Sequence, residues 1–359
     1  MIKIKYFYLI DLLRWIAAMG ILIHHYSSYF LMQKIDIKNS KIINLIIENA
    51  IIGSYGVWFF WCISGFVFTN ILVNTKSSLY DFSIKRFSRL YPLHFITLLI
   101  ITMLEIFSVI KFGNYQLGSN IYDVYHFILN LFFISDWGLQ HGFSFNHPIW
   151  SVSIEIPIYF IFFFIMINIK KNYLTYIIII LIISKIILHS DYFHYHLKAC
   201  FFFFMFGSFL YLFCLKFQKY IKSFIVLSIL GILSFPFWVL IENIVFLEKF
   251  KNFVPTTLIL FASLICFAFF LEDKYSKIAK RISFLGNASY AIYLTHLPIQ
   301  VFLLILSSWG FFEMEIFTSL SIFLLYLFVI NIIGIFSYIY FENPIRKLTY
   351  RYLKDNQFR

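Results

Sequence analysis

Ten apolar runs constrain this chain more than any other feature. They lie at roughly 8–30, 50–73, 93–112, 148–168, 173–189, 199–215, 223–241, 256–271, 287–308 and 315–341. Each is about 17–25 residues long, enough to cross a hydrocarbon layer about 30 Å thick as a helix. Water is absent from that layer, so the backbone must satisfy its own N–H and C=O groups, and runs of this length do so as α-helices. Only 13% of the 359 residues are charged, where an ordinary soluble domain carries ~25%. The fold expected is an all-α membrane protein, a polytopic bundle of about ten transmembrane helices.

No long polar linker or low-complexity tail interrupts the runs, so residues 1–359 read as a single transmembrane domain with no appended soluble one. The first run is too long for a signal-peptide core and lacks an A-x-A-like site. The four cysteines, Cys62, Cys200, Cys214 and Cys266, lie in or beside apolar runs without C-x-x-C spacing, as buried thiols do. Between the third and fourth runs lies a long connection, 113–147, whose apolar middle, 124–135, is too short to span and reads as interfacial or re-entrant.

The net charge of +12 would suggest nucleic acid in a soluble protein. Here the arrangement explains it. With the N-terminus inside, 20 of the 29 Lys and Arg residues fall in cytoplasmic segments and 7 in outer ones, and only Arg14 and Lys185 lie within runs. That alternation is the positive-inside pattern. It predicts a multi-pass protein of the cell's inner (plasma) membrane with both termini cytoplasmic and the lipid bilayer, not nucleic acid, as its partner.

The stretch Leu12 to Tyr26, LLRWIAAMGILIHHY, places an arginine and two histidines in the first run. A charge at the bilayer centre costs at least ~2.5–3.5 kcal/mol, so ionisable groups inside a span are functional candidates. Arg14 and His25 are eleven residues apart, which returns to within about 20° of one helix face and separates them by about 16 Å along the axis. Asp11 lies near that face, and His24 points about 80° away from it.

Four further stretches stand out: GVWFFWCISGF (Gly56 to Phe66), KRFSRLYP (Lys85 to Pro92) in a basic loop, WSVSIE (Trp150 to Glu155), and LGNASYAIYLTH (Leu285 to His296) followed by FENP (Phe341 to Pro344). With the Arg14/His25 spacing, in this order, they resemble acyltransferase family 3, the integral-membrane acyl-CoA-dependent O-acyltransferases. The chain departs from that family's pattern where IPIY follows Glu155 and where Trp58 replaces a smaller residue. The resemblance implies helices around a polar cavity open to both sides, with acetyl-CoA (acyl-CoA) as donor co-substrate and a cell-envelope polysaccharide or lipid-linked glycan as acceptor.

It also implies roles. His25 stands as catalytic base or acyl carrier, because an imidazole titrating near ~6.5 can take a hydroxyl proton at neutral pH; His24, on another face, is its structural rival. Arg14 either anchors the donor or snorkels to the interface. Arg86 and Arg89, beside Tyr91, suit the phosphates of coenzyme A, although topology alone would also put cations there. Glu155, counted inward from Pro148, reaches a depth close to that of His25 and is expected to orient its imidazole, with Lys185 as the competing partner. Ser64, Trp150, Tyr293 and His296 are candidate substrate-binding residues, Ser64 as a hydrogen-bonder rather than a nucleophile and His296 as a lining of the cavity. His189, Asp191, His194 and His196 have loosely metal-like spacing, which a hydrated loop also explains, and no metal is expected. The rival function is a proton-coupled transporter or flippase in which His25 and Glu155 relay protons; no inverted repeat is evident to support it.

Overall fold

The computed structural model describes residues 6–31, 41–117, 121–169, 171–190, 192–244 and 255–355. Of the sequence features above, Lys3, Lys5, Lys34, Lys38, Lys170, Asp191, Lys249, Lys251 and Arg359 lie outside the described residues. The described helices are α1 (Tyr8–Tyr26), α2 (Lys41–Asn74), α3 (Leu79–Phe112), α4 (Val124–Leu131), α5 (Ile149–Asn168), α6 (Tyr173–Leu188), α7 (Tyr195–Lys216), α8 (Ile221–Ile244), α9 (Pro255–Ile282), α10 (Phe284–Asn287), α11 (Ser289–Ser308), α12 (Leu320–Ser337) and α13 (Asn343–Asp355). Among the described residues there is no strand, and eight helices are long and apolar enough to cross a bilayer. The apolar half of α9 and the shorter α6 complete the ten expected runs. The protein is an all-α, multi-pass membrane protein.

α1 is the axis of the bundle and packs against α2, α9, α10 and α11. Its first backbone N–H groups have no partner within the helix, as at every helix N-terminus. Glu272 of α9 supplies one: its carboxylate oxygens accept from Tyr8 N at 3.0 Å and Leu9 N at 2.9 Å. A buried carboxylate therefore both caps α1 and sets its height against α9. After Tyr26 the helix widens into a π-helical turn, Ser27–Leu31. The α spacing that aligns Arg14 with His25 ends only beyond His25.

α2 packs most extensively on α7 through reciprocal glycines. A side chain added at Gly65 would overlap the backbone carbonyl of Phe204, and one at Gly207 the backbone carbonyl of Cys62. Small residues are what let transmembrane helices approach this closely. Polar contacts fix the pair: Thr69 Oγ1 donates to Ser208 Oγ at 2.7 Å, and Tyr211 bridges Asn70 and Asn74. α6, α8 and α12 form the periphery, and their exposed apolar side chains suit lipid contact.

The structure corrects one sequence expectation. The stretch Lys85 to Pro92 is no loop; it lies in the second to fourth turns of α3, which runs unbroken through Pro92. Ser78 caps its start by accepting from Asp81 N at 3.1 Å. Proline removes one backbone bond, and in a long membrane helix neighbours absorb that loss. Arg86 and Arg89 are therefore held on a rigid helix. Within the 113–147 connection, α4 is the short apolar element, capped by Asp123, whose side chain accepts from His126 N at 2.8 Å.

Candidate active site

At the end of the bundle where α1 begins, a cavity of about 330 Å³ opens between α1, α2, α3, α5 and α11. Three cations line it, Arg14 from α1 and Arg86 and Arg89 from α3, together with Glu155 from α5, Ser64 from α2 and Tyr293 from α11. The cations are not equivalent. Asp11 accepts from Arg14 Nη1 at 3.5 Å and also binds the Tyr6 hydroxyl. The Arg86 guanidinium lies 4.2 Å from the Phe68 ring centroid and 5.6 Å from that of Tyr159. Aromatic faces hold a planar cation in place while leaving its edge for hydrogen bonding.

Glu155 is buried, with Ser64, Tyr159, Arg86 and Arg14 around its carboxylate, and its Oε1 has no hydrogen-bond partner among the described residues. The expected meeting of Glu155 with His25 is not what the fold brings about. Ser151, one turn earlier on α5, bonds Tyr293 Oη at 2.9 Å, and Glu155 lies about 6 Å further along the axis, among the arginines. Lys185, the competing partner, is 5.9 Å from the Phe202 ring centroid. Counting residues along a helix gives height but not azimuth, and Glu155 lines the arginine cavity while His25 does not.

His25 lies among a separate cluster of ring side chains. Its Nδ1 lies 2.7 Å from Nε2 of His296, and the two rings stack with centroids 4.9 Å apart. His296 is fully buried, and its Nδ1 turns toward the carbonyls of Ile292 and Tyr293 in the preceding turn of α11, without a direct bond in good geometry. One of the two nitrogens donates across this contact and the other accepts. Among the described residues no hydrogen bond engages His25 Nε2. His24 faces elsewhere: its Cβ approaches Gly53 of α2.

The cluster around His25 includes two residues that reading the sequence missed. Tyr29, four residues after His25, lies 5.7 Å from it between ring centroids, and its hydroxyl bonds His147 Nδ1 at 2.8 Å. The i, i+4 spacing of His25 and Tyr29 was a signal for the first, while nothing local pointed to His147. Burial pushes the His147 imidazole from the ordinary 6.5 down to about 4, so the ring is neutral at pH 7.

Tyr293 touches both the arginine cavity and the histidine cluster. Its hydroxyl donates to Pro148 O at 2.6 Å, its ring is 5.9 Å from His296, and it also lines the arginine cavity. Two predicted residues do not line the cavity. Tyr91 stacks on Phe87 at 4.7 Å, and Trp150 lies 4.4 Å from the ring of His196. Asn287, Ser289 and Tyr290 of the LGNAS stretch line the cavity instead.

A family profile described as an acyltransferase domain matches residues 7–342. The acyltransferase MdmB of Streptomyces mycarofaciens is 28% identical over 152 residues, which are 42% of this chain and 36% of that protein. The similarity thus spans about a third of the curated relative's length. No solved structure matches.

Proposed function

The chain belongs to this family of acyltransferase domains, and from that premise we propose that it is a membrane O-acyltransferase of the cell envelope. It moves an acyl group, most simply acetyl, from acyl-CoA to a hydroxyl of an envelope polysaccharide or lipid-linked sugar. The termini and the arginine-lined end of the bundle face the cytoplasm, where the donor is found, and the acceptor arrives from the side of the 113–147 connection.

The observation that carries this reading is the bond between His25 Nδ1 and His296 Nε2. With the shared hydrogen on His25 Nδ1, this bond leaves a basic lone pair on Nε2, the arrangement that a third group imposes on the histidine of hydrolytic triads. Arg86, Arg89 and Arg14 bind donor phosphates and carbonyls, with Glu155 orienting the Arg86 fork. Tyr293 shapes the passage from this cavity to His25. His25 Nε2 takes the proton of the acceptor hydroxyl as its oxygen attacks the thioester carbonyl; the C–S bond breaks and the thiol leaves protonated. His296 accepts the hydrogen bond of the imidazolium throughout. In a second course, His25 Nε2 carries the acyl group itself and passes it on.

The test is transfer of an isotopically labelled acetyl group from acetyl-CoA to crude envelope glycan by the detergent-purified protein, read as labelled O-acetyl ester by mass spectrometry. Labelled ester is expected with the native protein and not with His25→Ala. Absence of ester from a folded protein with intact glycan overturns the reading. Omitting the glycan separates the two courses, since only the second leaves label on the α1 peptide.

A further inference from the structure

Where the 113–147 connection meets the start of α7, three donor side chains converge that the acyl-transfer reading does not use. Asp136 Oδ2 lies 2.7 Å from His196 Nδ1, and Asp136 Oδ1 lies 3.9 Å from His194 Nε2. One donor atom from each of the three lies within 4.8 Å of the others. The two imidazole rings are 5.1 Å apart at 78° to one another. The sequence grouped His194 and His196 with His189 and Asp191; the fold supplies Asp136, some sixty residues away, instead.

The cluster has the features of a built site. The Asp136 side chain is 4% exposed, while those of His194 and His196 are 37% and 29% exposed. Gln140 Nε2 donates to Asp136 Oδ1 at 2.9 Å, and the Asp136 backbone N–H donates to Ser153 Oγ at 3.3 Å. The carboxylate is therefore oriented from behind, as the outer hydrogen bonds of metal ligands do. Trp150 covers one face of His196. A tetrahedral ion with bonds of about 2.0–2.1 Å holds its ligand atoms about 3.3 Å apart, a value the observed 2.7 and 3.9 Å bracket. Two imidazoles and one carboxylate suit a borderline transition ion, whereas calcium and magnesium take oxygen ligands.

We propose that Asp136, His194 and His196 bind one divalent transition-metal ion of the zinc class, with the fourth coordination position open to solvent. On binding, His196 turns its lone pair at Nδ1 to the ion and carries its proton at Nε2, so the hydrogen bond to Asp136 becomes a shared ligation. The ion ties the connection that bears His147 to α7, beside Trp150.

The experiment uses the full chain in detergent with any purification tag removed, stripped with EDTA and dialysed. Zinc is then titrated calorimetrically, and metal content is measured after desalting; cobalt(II) serves as a visible-absorbance reporter of four-coordinate geometry. The native protein is expected to retain about one zinc per chain. Affinity should fall ~10-fold or more in Gln140→Ala, as outer-shell losses do, and further in His194→Ala and in His196→Ala, while His189→Ala binds as the native protein does. Equal zinc retention by the native protein and by His194→Ala overturns the proposal, and so does a native protein that retains none; the three side chains then form only hydrogen bonds. If His196→Ala does not elute as folded protein, the half-exposed His194 alone decides. Metal content is read without substrate, so failure here leaves the acyl-transfer reading untouched.

Discussion

Replacing Gly65 by alanine tests whether the approach of α2 to α7 positions the cavity. A methyl carbon at Gly65 would lie 2.8 Å from the carbonyl carbon and 3.1 Å from Cα of Phe204, and closer still to its oxygen, where ordinary contact begins at 3.4 Å. These are backbone atoms and cannot rotate aside, so the helices must part by about 1 Å. Overpacking of this kind costs ~1–3 kcal/mol. Ser64 is the neighbouring residue and lines the cavity beside Glu155, and a misplacement of about 1 Å can lower a rate ~100-fold. The assay pairs a thermal melt followed by size-exclusion chromatography with the initial rate of coenzyme A release. Gly65→Ala should lower both; Gly207→Ala, which meets the Cys62 backbone, should behave alike. Gly20→Ala is the control, because its methyl would meet only Gly53 Cα at 3.8 Å and should shift stability by no more than ~1 kcal/mol. A Gly65→Ala protein that melts and turns over like the native one, or a Gly20→Ala protein that is damaged equally, refutes the reasoning.

A double-mutant cycle between Glu155→Gln and Arg86→Gln should show a coupling of at least ~0.5 kcal/mol in stability, while Glu155→Gln and His25→Gln should add within ~0.5 kcal/mol; the reverse pattern would restore the Glu155–His25 pairing. Arg89→Ala should raise KM for acyl-CoA about tenfold with kcat nearly unchanged, since a cation that only holds phosphate binds ground and transition states alike; an equal fall in kcat would assign it to the reacting end. His147, lowered to about 4 by burial, is neutral when folded but takes up a proton near 6.5 when unfolded. Stability should therefore fall as pH drops from 6.5 toward 4, by up to about 3 kcal/mol, and His147→Asn should flatten that slope in pH-dependent melts. A native protein with no slope across this window contradicts the assignment.

The multi-pass helical architecture was legible because bilayer thickness imposes a length that composition alone reveals. The alignment of Arg14 with His25 was legible because one helix carries both, and the π turn at Ser27 begins just too late to disturb it. What the sequence hid is relational. His296 is 271 residues from His25, and only the packing of α11 on α1 makes them a pair. Glu155 was given a correct helix and another neighbour than the arginines it meets, because depth without azimuth cannot tell the histidine cluster from the arginine cavity. The basic stretch at Lys85 looked like a loop because Pro92 usually ends a helix, yet a capped start at Ser78 and a long apolar continuation carry α3 through it. Asp136 was not joined to His194 and His196 from the sequence, because they lie near α7 while it belongs to the 113–147 connection.

The most direct measurement of the central claim is release of free coenzyme A from acetyl-CoA by the purified protein, with envelope glycan present, run beside His25→Ala and His24→Ala. The account predicts that His25→Ala loses ~100-fold or more of the rate, the scale of a missing general base, while His24→Ala keeps most of it. Comparable rates for the native protein and His25→Ala, in samples that melt alike, would contradict it.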